Sequence, residues 1–298
     1  MLTLKAILFN FGAFVAGAVV FSILHRTMLR IGHARINFAG RMIPTSLGLG
    51  FVLLSILMCS AHLVLSVRYP GMKSFVGQVV LLCCGFGMLG LLDDIVQTRE
   101  AGGFRGHLSR VGGTHEVSTA LIKAAFGLLL SLLVAMIYWW EEGAFMAIVD
   151  GLIVALSANA INLLDVRPGR AVKGFLAATG FIVFGSLAGA YMGFDVKIFP
   201  VTWVIMVPFM VWAVNFALID FKCLGMMGDA GSNVLGAMMG LLVVWELSIT
   251  IRWVVLALLI AFHLMCEIVS FTEIIEKVRV LKWMDRLGIR QPRDNSNS

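Results

Sequence analysis

Four short stretches place acids and amides where apolar runs end. Asn159, Asn162 and Asp165 in NAINLLD fall at i, i+3 and i+6, so a helix sets them roughly along one face. GLLDD ends with the adjacent pair Asp93 and Asp94, and GMMGDAGS holds Asp229 among Gly225, Gly228 and Gly231. Neighbouring carboxylates at a helix C-terminus repel each other and the negative end of the helix dipole, so a cation there relieves both. Oxygen-only ligands of this kind suit Mg²⁺, with Mn²⁺ as second choice, bound through one or two carboxylates, water and substrate phosphates. The competing reading is a solvated cap at Asp93–Asp94. The glycine-rich turn allows close backbone approach and offers free N–H groups to an anion; the alternative there is an N-cap and tight helix packing.

Long apolar elements must position these groups. The 298 residues are 60% hydrophobic and 13% charged, and mean hydropathy is +0.95, which excludes an ordinary soluble domain. A bilayer crossing needs about 20 apolar residues, and an open sheet leaves backbone unsatisfied in lipid. The sequence predicts an all-α polytopic membrane bundle with nine spans: 2–24, 43–66, 75–92, 118–140, 144–164, 172–193, 200–219, 231–249 and 252–274. The first is read as a span rather than a signal peptide, since no small-residue cleavage site is evident. Residues 1–275 form one transmembrane domain, and 276–298 a basic cytoplasmic tail. The five cysteines lie in or beside apolar runs and read as packing residues, not a disulfide framework.

Of the 23 Lys and Arg residues, only Lys5, Arg68, Lys73, Lys197 and Arg252 fall on one membrane face. The others, among them Arg99, Arg105 and Arg110, mark the opposite face as cytoplasmic, with the N-terminus outside and the C-terminus inside. Trp139, Trp140, Trp203, Trp245 and Trp253 then form an outer aromatic belt. The net charge of +6 is mostly this topology signal; no basic run is interleaved with aromatics, so nucleic acid is not an expected partner. The same topology delivers Asp93, Asp94, Asp165, Asp220 and Asp229 to the cytoplasmic face. Lys123 lies inside the fourth span, where it either snorkels to the interface or meets a phosphate or an acid. Arg41 precedes the second span. His25, His33, His107, His115 and His263 lack metal-ligand spacing and receive no role.

These residues resemble the polyprenyl-phosphate N-acetylhexosamine-1-phosphate transferases, the family of phospho-MurNAc-pentapeptide translocase and the undecaprenyl-phosphate GlcNAc-1-phosphate transferases. The resemblance rests on IPTSLG after Arg41, GLLDD at 90–94, NAINLLD at 159–165 and MGDAGSN at 227–233, in family order over most of the chain. It implies a multi-pass enzyme of the bacterial plasma membrane, usually of ten helices. Such an enzyme transfers a sugar 1-phosphate from a UDP-sugar to a polyprenyl phosphate for cell-wall or surface-polysaccharide synthesis, releasing UMP and requiring Mg²⁺. By position the resemblance puts Asp93 and Asp94 at the catalytic centre and Asp229 with Asp93 at the metal. Asn159, Asn162 and Asp165 then line the nucleotide-sugar pocket, and Lys123, Arg41 and Thr45 meet the substrate. A homodimer is left open.

The chain also departs from the pattern. Where the family commonly continues Asp-Gly-x-Asp-Gly, the residues are Asp165, Val166, Arg167, Pro168 and Gly169, and Met226 or Met227 stands where an aromatic often precedes the Gly-Asp pair. The family usually continues with a histidine-rich loop and a last span; here the residues after His263 run on to EIIEKVRVLKWMDRLGIRQPRDNSNS, with no histidine among them. Arg167 and Arg170 are therefore read either as substitute phosphate contacts or as positive-inside markers. The rival functions are a non-catalytic relative that binds lipid phosphate or a partner enzyme, and an ion-coupled transporter, which would want mid-membrane acids in several spans.

Overall fold

The computed structural model describes residues 2–37, 40–65, 72–96, 119–192 and 200–289. Arg68, Arg99, Arg105, Arg110, His107, His115, Lys197 and the last part of the tail lie outside the described residues. The order is α1 (Leu2–Arg30), β1 (Ala34–Ile36), β2 (Met42–Pro44), α2 (Leu49–Leu65), α3 (Met72–Val96), α4 (Thr119–Tyr138), a 3₁₀ turn (Trp140–Glu142), α5 (Ala144–Leu164), α6 (Arg170–Tyr191), α7 (Pro200–Asp220), α8 (Asp229–Glu246), α9 (Ile249–Ile268), α10 (Phe271–Lys277) and α11 (Arg279–Arg286). The protein is an all-α bundle, and seven of the described helices are long and apolar enough to cross a membrane. Large apolar side chains such as Phe181, Leu258 and Ile268 face outward, as lipid contact requires.

Two of the nine expected spans differ from these seven. α2 is shorter over its described residues, and α8 begins and ends in an acid, which lowers its apolar content. Every residue of α8 from Ala230 to Glu246 is buried, because α2, α3, α5, α6 and α7 surround it. The packing of α5 on α8 is close enough to need glycine: a Cβ at Gly236 would stand 2.3 Å from the Ser157 carbonyl oxygen, and one at Gly240 2.7 Å from Val154 Cα. On the other side, Phe21, Phe51 and Phe216 lock α1, α2 and α7 together, with the first two ring centroids 5.2 Å apart.

At the end of α8 away from Asp229, several polar side chains pair between helices. The Trp139 and Trp245 indoles both donate to Gln78 Oε1, at 3.1 and 2.8 Å. These two tryptophans are thus buried pins between helices, whereas Trp140 and Trp253 are exposed as an interfacial belt expects. Arg252 joins Glu142 and Asp150 nearby. All five cysteines are free. The tail is helical where described: α10 and α11 pack on each other beneath the α5–α6 loop.

A candidate active site at one end of the bundle

The acid-bearing stretches meet at one end of the bundle. α3 brings Asp93 and Asp94 by its last turn, α5 ends with Asn162 and Asp165, α4 carries Lys123 in its second turn, and α8 opens at Asp229. Lys123 Nζ lies 3.0 Å from Asp93 Oδ2 and forms a second ion pair with Asp229 Oδ2. All three are part-buried, so the ammonium meets carboxylates inside the bundle rather than snorkelling alone. Asn162 Nδ2 approaches Asp229 Oδ2 at 3.4 Å, and its Oδ1 accepts from Ser232 Oγ at 2.8 Å, which fixes the orientation of the amide.

Asp94 faces elsewhere. Its side chain is buried; Oδ1 accepts the Asp229 backbone N–H at 3.0 Å, and Oδ2 accepts that of Ala230 at 3.3 Å and the Ser46 hydroxyl at 2.7 Å. It caps the first turn of α8 from another helix, satisfying N–H groups that have no intrahelical acceptor. Gly228 makes room for this cap: at φ +72° it is left-handed, and a Cβ would stand 2.4 Å from Asp94 Oδ2. The loop before α2 is tied to the same turn, since Gly48 N–H donates to Met227 O at 2.9 Å and Met226 N–H to Pro44 O at 2.8 Å.

Asp165 lies just beyond α5. Burial first, and then the neighbouring Asp220, Asp229 and Asp94 carboxylates, push its carboxyl well above the ordinary range; the Gly228 backbone hydrogen bond works against this. Asp220 is buried and accepts the Gly169 N–H at 2.7 Å, anchoring the turn after Asp165. Asn159, by contrast, sits on an exposed face and makes no hydrogen bond to the cluster among the described residues. Arg41 is exposed at the rim, with its N–H bonded to Asn37 Oδ1 at 2.9 Å. Thr45 is buried beside Ser46, and its hydroxyl has no partner among the described residues.

Arg167 and Arg170 turn to the tail. Arg170 is buried and grips Asp285 with two hydrogen bonds, of 2.6 and 3.0 Å, and Thr272 with a third, of 2.8 Å. Arg167 meets Glu276 at 3.2 Å, and Lys173 Nζ donates to the Met284 and Asp285 carbonyls. The pairing is local in space but more than a hundred residues apart in sequence, so spacing gave no sign of it.

Compared with family models and with curated proteins, this chain matches none. What the site can do therefore follows from its chemistry. Its donors are hard oxygens, and the Asp93 and Asp229 carboxylates share a single ammonium, that of Lys123. Among the described residues no three His, Cys, Asp or Glu side chains converge on one point, and Lys123 already bridges Asp93 and Asp229. The donor chemistry and the excess of negative charge fit a hard divalent cation that takes two protein carboxylates and fills its other positions with water or phosphate. A cavity of about 1110 Å³ lies elsewhere, between α6 and α9 at the other end of α8, and none of these carboxylates lines it.

Sequence reasoning missed Ser46, His33, Arg35 and Ser232. Ser46 lies within IPTSLG and Ser232 within MGDAGSN, so their motifs were visible while their partners were not. The donation of Arg35 to the Asp94 carbonyl had no signal in its spacing.

Proposed function

We propose that the protein transfers a sugar 1-phosphate from a UDP-sugar to a polyprenyl phosphate at the cytoplasmic face of a bacterial plasma membrane. The observation that carries this reading is the meeting of Asp93, Lys123, Asn162 and Asp229 from four helices at one bundle end, beside Asp165. In the step, a lipid phosphate oxygen attacks the β-phosphorus of the donor and forms the new P–O–P link. The bond from that phosphorus to the bridging oxygen breaks, and UMP leaves with the oxygen. Little covalent work falls to the protein, so positioning and charge neutralisation dominate.

Asp93 and Asp229 are the side chains that would hold Mg²⁺, or Mn²⁺, whose chemistry is to neutralise phosphate oxygens and leaving-group charge. Lys123 holds these two carboxylates and offers its remaining proton to a phosphate. Asp93 accepts the proton of a monoanionic lipid phosphate. Asn162 orients Asp229, Asp165 and Thr45 flank the donor, and Arg41 meets its diphosphate from the rim. Asp94 positions Asp229 rather than touching substrate, and Arg167 and Arg170 hold the tail.

The test is an assay of purified protein with Mg²⁺, undecaprenyl phosphate and a panel of UDP-sugars. A lipid-linked product from one donor is expected, and none from any donor in folded protein overturns the reading. One observation favours a second reading, a non-catalytic relative that binds lipid phosphate: Lys123 already neutralises part of the carboxylate pair. Saturable binding of undecaprenyl phosphate without turnover would select it.

A further inference from the structure

A chain of hydrogen bonds reaches the site from a histidine that the proposed reaction does not use. His33 Nε2 stands 2.8 Å from Ser46 Oγ, and Ser46 Oγ stands 2.7 Å from Asp94 Oδ2. Ser46 is fully buried, Asp94 is 3% exposed and His33 is half-buried in the turn after α1. Ser46 also has φ +58°, one of two positive values outside glycine among the described residues. A side chain in that region is strained by about 1 kcal/mol or more and persists where its surroundings enforce it.

The chain has a direction. Both Asp94 oxygens already accept backbone N–H groups of α8, so the single hydroxyl proton of Ser46 points to Asp94 Oδ2. Ser46 Oγ is then an acceptor toward His33, and the network assigns the proton to Nε2. Each link has its own support. The His33 backbone carbonyl accepts the Thr45 N–H at 3.2 Å, and the His33 N–H donates to Met28 O at 2.9 Å, which fixes the ring against the loop that carries Ser46.

We infer that His33 and Ser46 are positioning residues: through Asp94 they fix the first turn of α8, and with it Asp229, in the geometry that the proposed transferase reaction needs. The inference rests on that reading for its catalytic consequence but not for its structural one. Neither side chain touches Asp93, Lys123 or Asp229 in the hydrogen bonds of the site, so their effect passes through Asp94. It is from this left-handed backbone that the Ser46 hydroxyl reaches Asp94.

Backbone amide exchange on the full-length protein in detergent tests this, with no ligand added. His33→Ala and Ser46→Ala should speed exchange in the segment covering Gly228–Ser232 by on the order of tenfold, and leave the middle of α8 unchanged. His33→Gln, whose side-chain amide donates to Ser46 as Nε2–H does, should restore protection. Ser46→Gly removes the hydroxyl but suits the positive φ, so it separates loss of the bond from misfolding. In the transferase assay the two alanine variants should lose on the order of tenfold in kcat, with His33→Gln recovering most of it. Unchanged exchange in Ser46→Ala and Ser46→Gly, or His33→Gln behaving like His33→Ala, overturns the inference. Wild-type protein without turnover on any donor removes the transferase reading while the exchange result stands.

Discussion

The Asp229 backbone N–H donates to the Asp94 side chain at 3.0 Å, while the Asp229 side chain pairs with Lys123. The adjacent acids at the end of α3 thus divide their work, Asp94 toward the backbone of α8 and Asp93 toward Lys123. The substitutions should divide accordingly. Asp93→Asn and Asp229→Asn should lower turnover by about 10²–10³-fold with little change in melting temperature. Asp94→Asn should lower both, because whichever way the amide turns, its N–H₂ faces a donor, at a cost of about 1–3 kcal/mol. Melting curves in detergent beside kcat separate the two patterns, and a heat-stable Asp94→Asn would contradict the capping role.

Lys123 holds two carboxylates inside the bundle. In Lys123→Met the charge is lost while most of the stem is kept, so Asp93 and Asp229 repel each other without relief. The expected destabilisation is on the order of 1–3 kcal/mol, because all three groups keep some solvent contact. Mg²⁺ should raise the melting temperature of Lys123→Met more than that of wild type, since the cation replaces the missing ammonium. Equal shifts would remove the two carboxylates from the metal site.

The tail is held by a buried pair, Arg170 and Asp285, with side chains 3% and 8% exposed. Either alanine substitution leaves an uncompensated buried charge and should cost about 3–5 kcal/mol. The double substitution should cost less than the sum of the two, by a coupling energy of about 1–3 kcal/mol. Additive losses in a double-mutant cycle would mean that the pair does not hold the tail.

Glu276 ties α10 to the loop as well. Its hydrogen bond to Lys282, with Lys282, Arg167 and Arg286 nearby, holds its carboxyl below the usual glutamate value of 4.5. A depressed carboxyl stabilises the folded state above its unfolded value, and that contribution disappears as pH falls through the folded value. Protease cleavage within 271–289 should therefore increase as pH drops below about 4.5, and Glu276→Gln should cleave readily at neutral pH and respond less to acid. A pH-independent wild type would contradict the tie.

Much of this arrangement is legible in the sequence because apolar length and helix ends are local signals. Asp93, Asn162, Asp165 and Asp229 each end or begin an apolar run, so a common membrane face brings them together, and Lys123 follows from being a charge inside a span. A three-residue spacing groups Asn159 with Asn162 and Asp165, but that spacing turns a helix by about 300°, and tertiary packing leaves Asn159 exposed. Asp94 could not be told from Asp93 by position, since only the approach of α8 decides which one caps it. Arg170 reads from the sequence as either a phosphate contact or a positive-inside marker, because its partner, Asp285, lies in a tail whose docking has no periodic signal. Trp139 and Trp245 are buried because both indoles donate to Gln78, a pairing that spacing does not reveal.

The most direct measurement follows the phosphorus. Purified protein with Mg²⁺ and undecaprenyl phosphate receives UDP-sugar labelled at either the α- or the β-phosphate. The account predicts β-label in the lipid, α-label in released UMP, and loss of both with EDTA. α-Label in the lipid, or no Mg²⁺-dependent lipid product in folded protein with any donor, would contradict it.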